Sequence, residues 1–161
     1  MVRWVPQRQA SLLRPNLQNS SMHEAQTKTA AKLTAICPQF RVPDVVATAE
    51  YYRDVLGFKI LGYFLDPPVF AMVARDAAEI HFGKIDGGAK ASSNLTPRKR
   101  SSSDVYIWTN DLHALHEELK ARDAKIIEGP VRRVYNCLEI VVEDLNGLRL
   151  VFAMDYQHPN S

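Results

Sequence analysis

The chain has no run approaching the roughly 20 consecutive apolar residues that a spanning helix needs, so a helical membrane protein is not expected. Nor does a secretory apolar core stand near the N-terminus. Cysteine is scarce. Cys37 and Cys137 cannot build a disulfide framework or a four-cysteine zinc site, and a reducing, cytoplasmic setting is the expectation. A surplus of charge is also missing, since the net value is only +2. Much of that surplus sits in residues 1–31, where Arg3, Arg8, Arg14 and Lys28 face Glu24 alone. The remainder is close to neutral and offers no electrostatic footprint for nucleic acid. Neither a nucleic-acid nor a membrane partner is expected.

What is present suits one ordinary domain: 161 residues, 46% apolar and 24% charged. Residues 1–31 lack a sustained period and read as a disordered or loosely packed extension. A transit peptide and a translation start at Met22 stay open beside that reading. From residue 32 the pattern becomes organised. Residues 32–42 read as a strand ending at Pro43, and Asp44 caps a helix marked by Val45, Ala49, Tyr52 and Leu56. Gly57 closes the helix as a left-handed residue. Strands at 58–65, 69–75 and 78–84 follow, with Asp66-Pro67-Pro68 and Asp76-Ala77 in the turns.

A Ser/Lys/Arg-rich linker spans 86–103, and after it the order repeats. Residues 104–108 form a strand, and Asp111 caps a helix bearing Leu112, Leu115 and Leu119. Asp123 stands where the first copy has Gly57. Strands at 125–128, 133–143 and 148–154 complete the second copy, the last two joined by the hairpin signal Asn146-Gly147. The chain is therefore an internal duplication, with modules at 32–85 and 104–155 and a tail at 156–161. The fold class is α+β: two βαβββ modules whose antiparallel-rich curved sheets each have one helix-covered face. The other face is left for a cavity.

Strand alternation assigns that cavity face. It holds Cys37, Gln39 and Arg41 on the first strand and Glu79 and His81 on the fourth. In the second module it holds Asp104, Tyr106 and Trp108, then Arg149 and Val151. Val105, Ile107, Leu148, Leu150 and Phe152 turn toward the helix. Two large aromatics on one short strand, among a few polar groups, describe a small-molecule pocket. His113 and His116 lie at the edge of the buried helix stripe and read as a solvated face. The run Pro97-Arg98-Lys99-Arg100 reads as solvated charge in the linker. Asn94-Leu95-Thr96 matches a glycosylation sequon, but nothing else points to secretion.

The opening Pro38-Gln39-Phe40-Arg41-Val42-Pro43-Asp44-Val45, leading to Glu50-Tyr51-Tyr52-Arg53-Asp54-Val55-Leu56-Gly57-Phe58, resembles the vicinal oxygen chelate superfamily. Within it the resemblance is to the glyoxalase/bleomycin-resistance group. The segments Ala78-Glu79-Ile80-His81-Phe82-Gly83, Asp104-Val105-Tyr106-Ile107-Trp108-Thr109-Asn110-Asp111-Leu112 and Glu143-Asp144-Leu145-Asn146-Gly147-Leu148-Arg149-Leu150 extend the match across about residues 33–155.

Enzymes of that superfamily hold a divalent ion at four strand positions, two per module. Here these positions carry Cys37, Glu79 or His81, Asp104 and Val151. That set departs from the metalloenzyme pattern and agrees with metal-free binders, so no cofactor is expected, although Cys37, His81 and Asp104 are residue types that could together bind zinc. The resemblance implies a homodimer with grooves built from both subunits, and antibiotic resistance by sequestration of a small organic ligand. Tyr106 and Trp108 would stack on it, and Glu79 and Asp104 would face a cationic ligand. Arg41 and Arg149 would suit an anionic one. A metal-dependent lyase, isomerase or dioxygenase using Glu79, His81 and Asp104 is the alternative. A dimer that has lost its site is a third reading.

Overall fold

Two aspartates start the two helices. Asp44 accepts from the Val46 and Ala47 amides at 2.9 and 3.0 Å, and Asp111 accepts from Ala114 at 2.9 Å. The computed structural model describes residues 31–87, 89–91, 93–94 and 103–156. The expectations for residues 1–30, the basic run at 97–100 and the tail at 157–161 lie outside that range. Contacts divide the chain into two units, Met1–Thr34 and Ala35–Ser161, and every element below belongs to the second.

The first module runs β1 (Gln39–Val42), α1 (Val45–Asp54), β2 (Lys59–Phe64), β3 (Phe70–Arg75) and β4 (Ala78–Lys84). The second runs β5 (Val105–Trp108), α2 (Leu112–Ala121), β6 (Ile126–Arg132), β7 (Cys137–Glu143) and β8 (Arg149–Asp155). Each module is a four-stranded sheet, ordered β1-β4-β3-β2 and β5-β8-β7-β6. In both, the first strand pairs in parallel with the last, while the other pairings are antiparallel. The helix stops match the expectation, with Gly57 at φ 73° and Asp123 at φ 57°. Asp123 tolerates this left-handed geometry because its short polar side chain is one of the few that does.

Three expected strands differ. The one expected at 125–128 runs on to Arg132 as β6, across Gly129 and Pro130. The first strand of the chain begins at Gln39 rather than residue 32, because the ladder to β4 starts only there, at the Gln39–His81 pair. Residues 133–143 do not form one strand. Arg133, Val134, Tyr135 and Asn136 make a turn, with Asn136 at φ 64° and its N–H donated to the Arg133 carbonyl at 3.0 Å. Val134 and Tyr135 look like strand residues by propensity, yet Val134 is 100% exposed at the turn.

One apolar cluster joins the helix-covered faces. It includes Val45, Ala49, Tyr52 and Leu56 of α1, Leu112, Leu115 and Leu119 of α2, and Val73, Ile80, Phe82, Ile140, Leu150 and Phe152 from the strands. At the junction of the modules, buried Asp144 accepts from the Tyr52 hydroxyl at 3.3 Å and from the Asn146 and Leu148 amides at 2.8 Å. Asn146 also donates its side-chain amide to Thr48 Oγ1 at 3.0 Å. Burial raises the Asp144 carboxyl above its ordinary value, against the lowering pull of these donors. Arg75 bridges the Leu56 carbonyl at 2.8 Å and Glu118 of α2 at 2.7 Å. No helix among the described residues is long and apolar enough to cross a membrane.

Candidate functional site

The two ladders place the duplicated positions side by side. Gln39 pairs with His81 on one sheet, and Tyr106 pairs with Val151 on the other. His81 is thus the counterpart of Val151, and Glu79 that of Arg149. The alternative between Glu79 and His81 resolves in favour of His81 as the repeat-related position. On the same register Cys37 matches Asp104, Gln39 matches Tyr106, and Arg41 matches Trp108.

The second module's open face is an aromatic wall over an apolar floor. Trp108 and Tyr106 meet edge to face with ring centroids 5.3 Å apart, and they are 61% and 38% exposed. Beside them Cys137, Val141, Val151 and Ala153 are buried although none belongs to the main core cluster. They alternate with Leu138, Ile140, Val142, Leu150 and Phe152, which do belong to it. The strand is therefore apolar on both sides, and only its inner side is bounded by a helix.

Glu139 was missed by sequence reasoning and is only 2% exposed on that floor. Its Oε1 accepts from the Tyr106 and Tyr135 hydroxyls, each at 2.7 Å, and its Oε2 accepts from Arg133 Nε at 2.7 Å. Burial pushes this carboxyl up, but the Arg133, Tyr135 and Tyr106 hydrogen bonds outweigh it and hold the group below its ordinary value. Tyr106 is pushed well up in turn, by burial first and then by its bond to Glu139. It stays a neutral donor at any physiological pH. The signal for Glu139 was available: a single carboxylate inside the run Cys137-Leu138-Glu139-Ile140-Val141-Val142 must be paired to be buried.

Asp104 lies just before β5, and its carboxylate is occupied by backbone and linker. It accepts from Ser93 Oγ and from the Arg149 amide at 2.7 Å, and from the Asn94 amide. The buried Arg149 Nε lies 3.9 Å from a Glu143 carboxylate oxygen, a loose ion pair with no hydrogen bond among the described residues. Arg41 is exposed and pairs loosely with Asp86 at 3.8 Å. Gln39 lies over Gly83, where a Cβ would come within 3.3 Å of the Gln39 amide nitrogen. Glu79 and His81 form a 2.6 Å pair, and Phe70 meets the His81 ring edge to face at 5.5 Å.

These positions test the four-ligand arrangement that the resemblance implies. Val151 has no donor atom, and Asp104 is engaged by three hydrogen-bond donors. The second module cannot supply its half of a shared metal site. The histidines of α2 are also accounted for, with His113 exposed and His116 3.3 Å from Glu117.

A separate cleft of about 620 Å³ opens at the module junction, between Phe58, Arg75 and the β3–β4 turn on one side and Trp108, Asp111 and Glu118 on the other. Trp108 therefore stands where the open face meets this cleft.

Comparison with known proteins places this geometry in context. TioX from Micromonospora sp. ML1 has a similar fold at TM-score 0.60 and 14% identity, covering 76% of this chain and 98% of its own. A bleomycin-binding protein from Streptomyces verticillus, solved with copper(II)-bleomycin, matches at TM-score 0.53 and 21% identity, over 76% of this chain and 97% of that one. A glyoxalase/bleomycin resistance protein/dioxygenase from Nocardioides matches at 0.55 and 16%, over 79% and 86%. At these identities the likeness is one of fold. No curated protein matches the sequence. The family profile, in contrast, matches residues 34–152, which takes in both modules and the linker between them. With two βαβββ units in the same order along that span, the chain belongs to the Glyoxalase/Bleomycin resistance protein/Dioxygenase superfamily.

Proposed function

We propose that this chain is a cytoplasmic small-molecule binder that sequesters a planar organic ligand against Tyr106 and Trp108, without a catalytic ion shared between its modules. The observation that carries the reading is the exposed aromatic pair over a buried apolar floor, with Tyr106 fixed through its hydroxyl by Glu139. Aromatic faces left to water beside apolar side chains gain from stacking on a flat ring. The likeness in fold to a protein solved with copper(II)-bleomycin supports a ligand of that general kind, a large heteroaromatic drug or metabolite. Gln39, Arg41, Glu79, His81, Asp104 and Arg149 are the polar groups proposed to frame it. The working unit is proposed to be a homodimer, because each sheet has one uncovered face and two copies would close a groove between them.

Fluorescence titration with copper-free bleomycin and a panel of planar heteroaromatics tests the reading. Trp4 and Trp108 are the two tryptophans, so one serves as internal reference. Saturable quenching that disappears in Trp108→Ala, with affinity lowered by about 1–3 kcal/mol, is the expected result. Absence of saturable quenching by every compound, or the same response in Trp108→Ala, overturns it. Light scattering at micromolar concentration should report a dimer. A single 18.2 kDa species would remove the shared groove.

A further inference from the structure

The open face of the second module runs in rows set by its ladders. Tyr106 pairs with Val151 and Val151 with Val141, while Trp108 pairs with Ala153 and Ala153 with Glu139. One row further back, the Asp104 amide donates to the Arg149 carbonyl at 2.8 Å, and Arg149 pairs with Glu143. Successive rows lie two residues, or about 6.5 Å, apart along a strand. Arg149 thus stands one row from Tyr106 and shares its face by alternation. The charged groups of this face differ in what they still have to give. Asp104 accepts through both oxygens, from Ser93, Asn94 and the Arg149 amide. Glu139 also accepts through both, from Tyr106, Tyr135 and Arg133, and Arg133 is clasped in turn by both oxygens of Glu128. Glu143 accepts from Lys125 through Oε1, and only its Oε2 turns toward Arg149. The Arg149 guanidinium makes no hydrogen bond among the described residues. Its Nε is buried, which leaves the two terminal nitrogens as the prongs a ligand can meet.

We propose that the ligand stacked on Tyr106 and Trp108 is a planar aromatic acid whose anionic group is held by Arg149. This rests on the stacking reading above and fixes the ligand's charge, which the mixture of Arg41, Arg149, Glu79 and Asp104 leaves open. An ammonium group on the ligand would have to compete for Asp104 and Glu139 with the donors they already hold, beside a guanidinium that repels it. A carboxylate gains two donors without breaking an existing hydrogen bond, and the planar fork matches its two oxygens. Folding has stripped water from Nε without replacing its bond, so the guanidinium gains most from an anion set beside it. A carboxylate joined directly or by a short link to a bicyclic ring spans the row of about 6.5 Å between ring and guanidinium. The first module offers no such pairing, since Glu79 holds the position of Arg149 and is bonded to His81 at 2.6 Å.

The test is isothermal titration calorimetry on the full chain at neutral pH. The matched probes are naphthoate, naphthylmethanol and naphthylmethylammonium, which share one ring and are anionic, neutral and cationic. Naphthoate is expected to bind about tenfold or more tightly than the alcohol, with the ammonium weakest, and added salt should shrink the gap. Arg149→Gln should bring naphthoate down to the level of the alcohol, while Trp108→Ala weakens all three together. Circular-dichroism melts check that both variants fold. The ranking of the three probes on the parent chain needs no variant and decides by itself if Arg149→Gln does not fold. Alcohol or ammonium binding as tightly as the acid overturns the anion assignment and leaves stacking in place. An acid preference that survives Arg149→Gln overturns the role of Arg149. No binding by any probe removes the stacking reading, and this assignment with it.

Discussion

The two sheets share one strand order and one pairing register, yet the first and last strands of their open faces carry different chemistry. In the first module the counterpart positions hold Gln39, Arg41, Glu79 and His81, all polar. In the second they hold Tyr106, Trp108, Arg149 and Val151, and a floor of Cys137, Val141 and Ala153 lies beside them. On the helix-covered side the match is closer, because Val73, Ile80 and Phe82 answer Val142, Leu150 and Phe152 in kind. Packing constrains the closed face of a duplicated sheet, while the open face is free to take a different task in each copy.

The largest expected break in that comparison is at Glu139. Glu139→Leu leaves the Tyr106 and Tyr135 hydroxyls unpaired and removes one of two carboxylates from Arg133, whose other partner Glu128 lies at 2.9–3.0 Å. A destabilisation of about 2–3 kcal/mol is expected by urea unfolding, below the usual cost of a fully orphaned charge because Glu128 remains. Glu79→Leu, on the half-exposed first face, should cost less than about 1 kcal/mol. Equal losses at the two sites would erase the distinction between the faces.

Next is Tyr52→Phe, which removes the hydroxyl donated to Asp144 and should cost about 1 kcal/mol. A smaller but sharper effect concerns pH. Glu139 sits below its ordinary value in the folded state, so its stabilisation is present above the unfolded value and lost as pH falls below it. Asp144 sits above its ordinary value. The folded state therefore takes up its proton first, and the Asp144 contribution falls as pH rises through that window. Glu139→Gln should flatten the acid-side loss of stability, and Asp144→Asn should steepen it. Urea melts at stepped pH read both slopes, and changes of slope in the same direction from the parent chain would contradict the assignment. Smallest of all, Trp108→Ala should change stability by no more than about 1 kcal/mol, because the ring is mostly in water. Collapse of the fold instead would make Trp108 a core residue.

Alternation was the most readable feature of the sequence. The outward Tyr106 and Trp108 against inward Val105 and Ile107 follow from parity alone. Helix caps were legible because Asp44, Asp111, Gly57 and Asp123 act through their own local chemistry. What could not be read depended on partners distant in sequence. The start of β1 is set by where β4 offers a ladder, and the role of Glu139 is set by residues on β5 and in the 133–136 turn. Val134 and Tyr135 hid that turn behind strand propensity. Asp104 looked like a cavity carboxylate because nothing in the sequence shows it accepting from Ser93, Asn94 and Arg149.

The parallel pairing of each first strand with the last strand of its own module also governs the order of assembly. Among the described residues β1 sits at a sheet edge with β4 as its sole neighbour, just as β5 has β8. While the chain emerges from the ribosome, β1 must wait for some forty residues of later sequence before any backbone group in it can be paired. Hairpins β2–β3 and β6–β7 are local and can close early, but each β-sheet is sealed only by its final strand. A chain cut short after β3 or β7 would thus lose two strands rather than one, and would expose a pairing edge to its neighbours during synthesis.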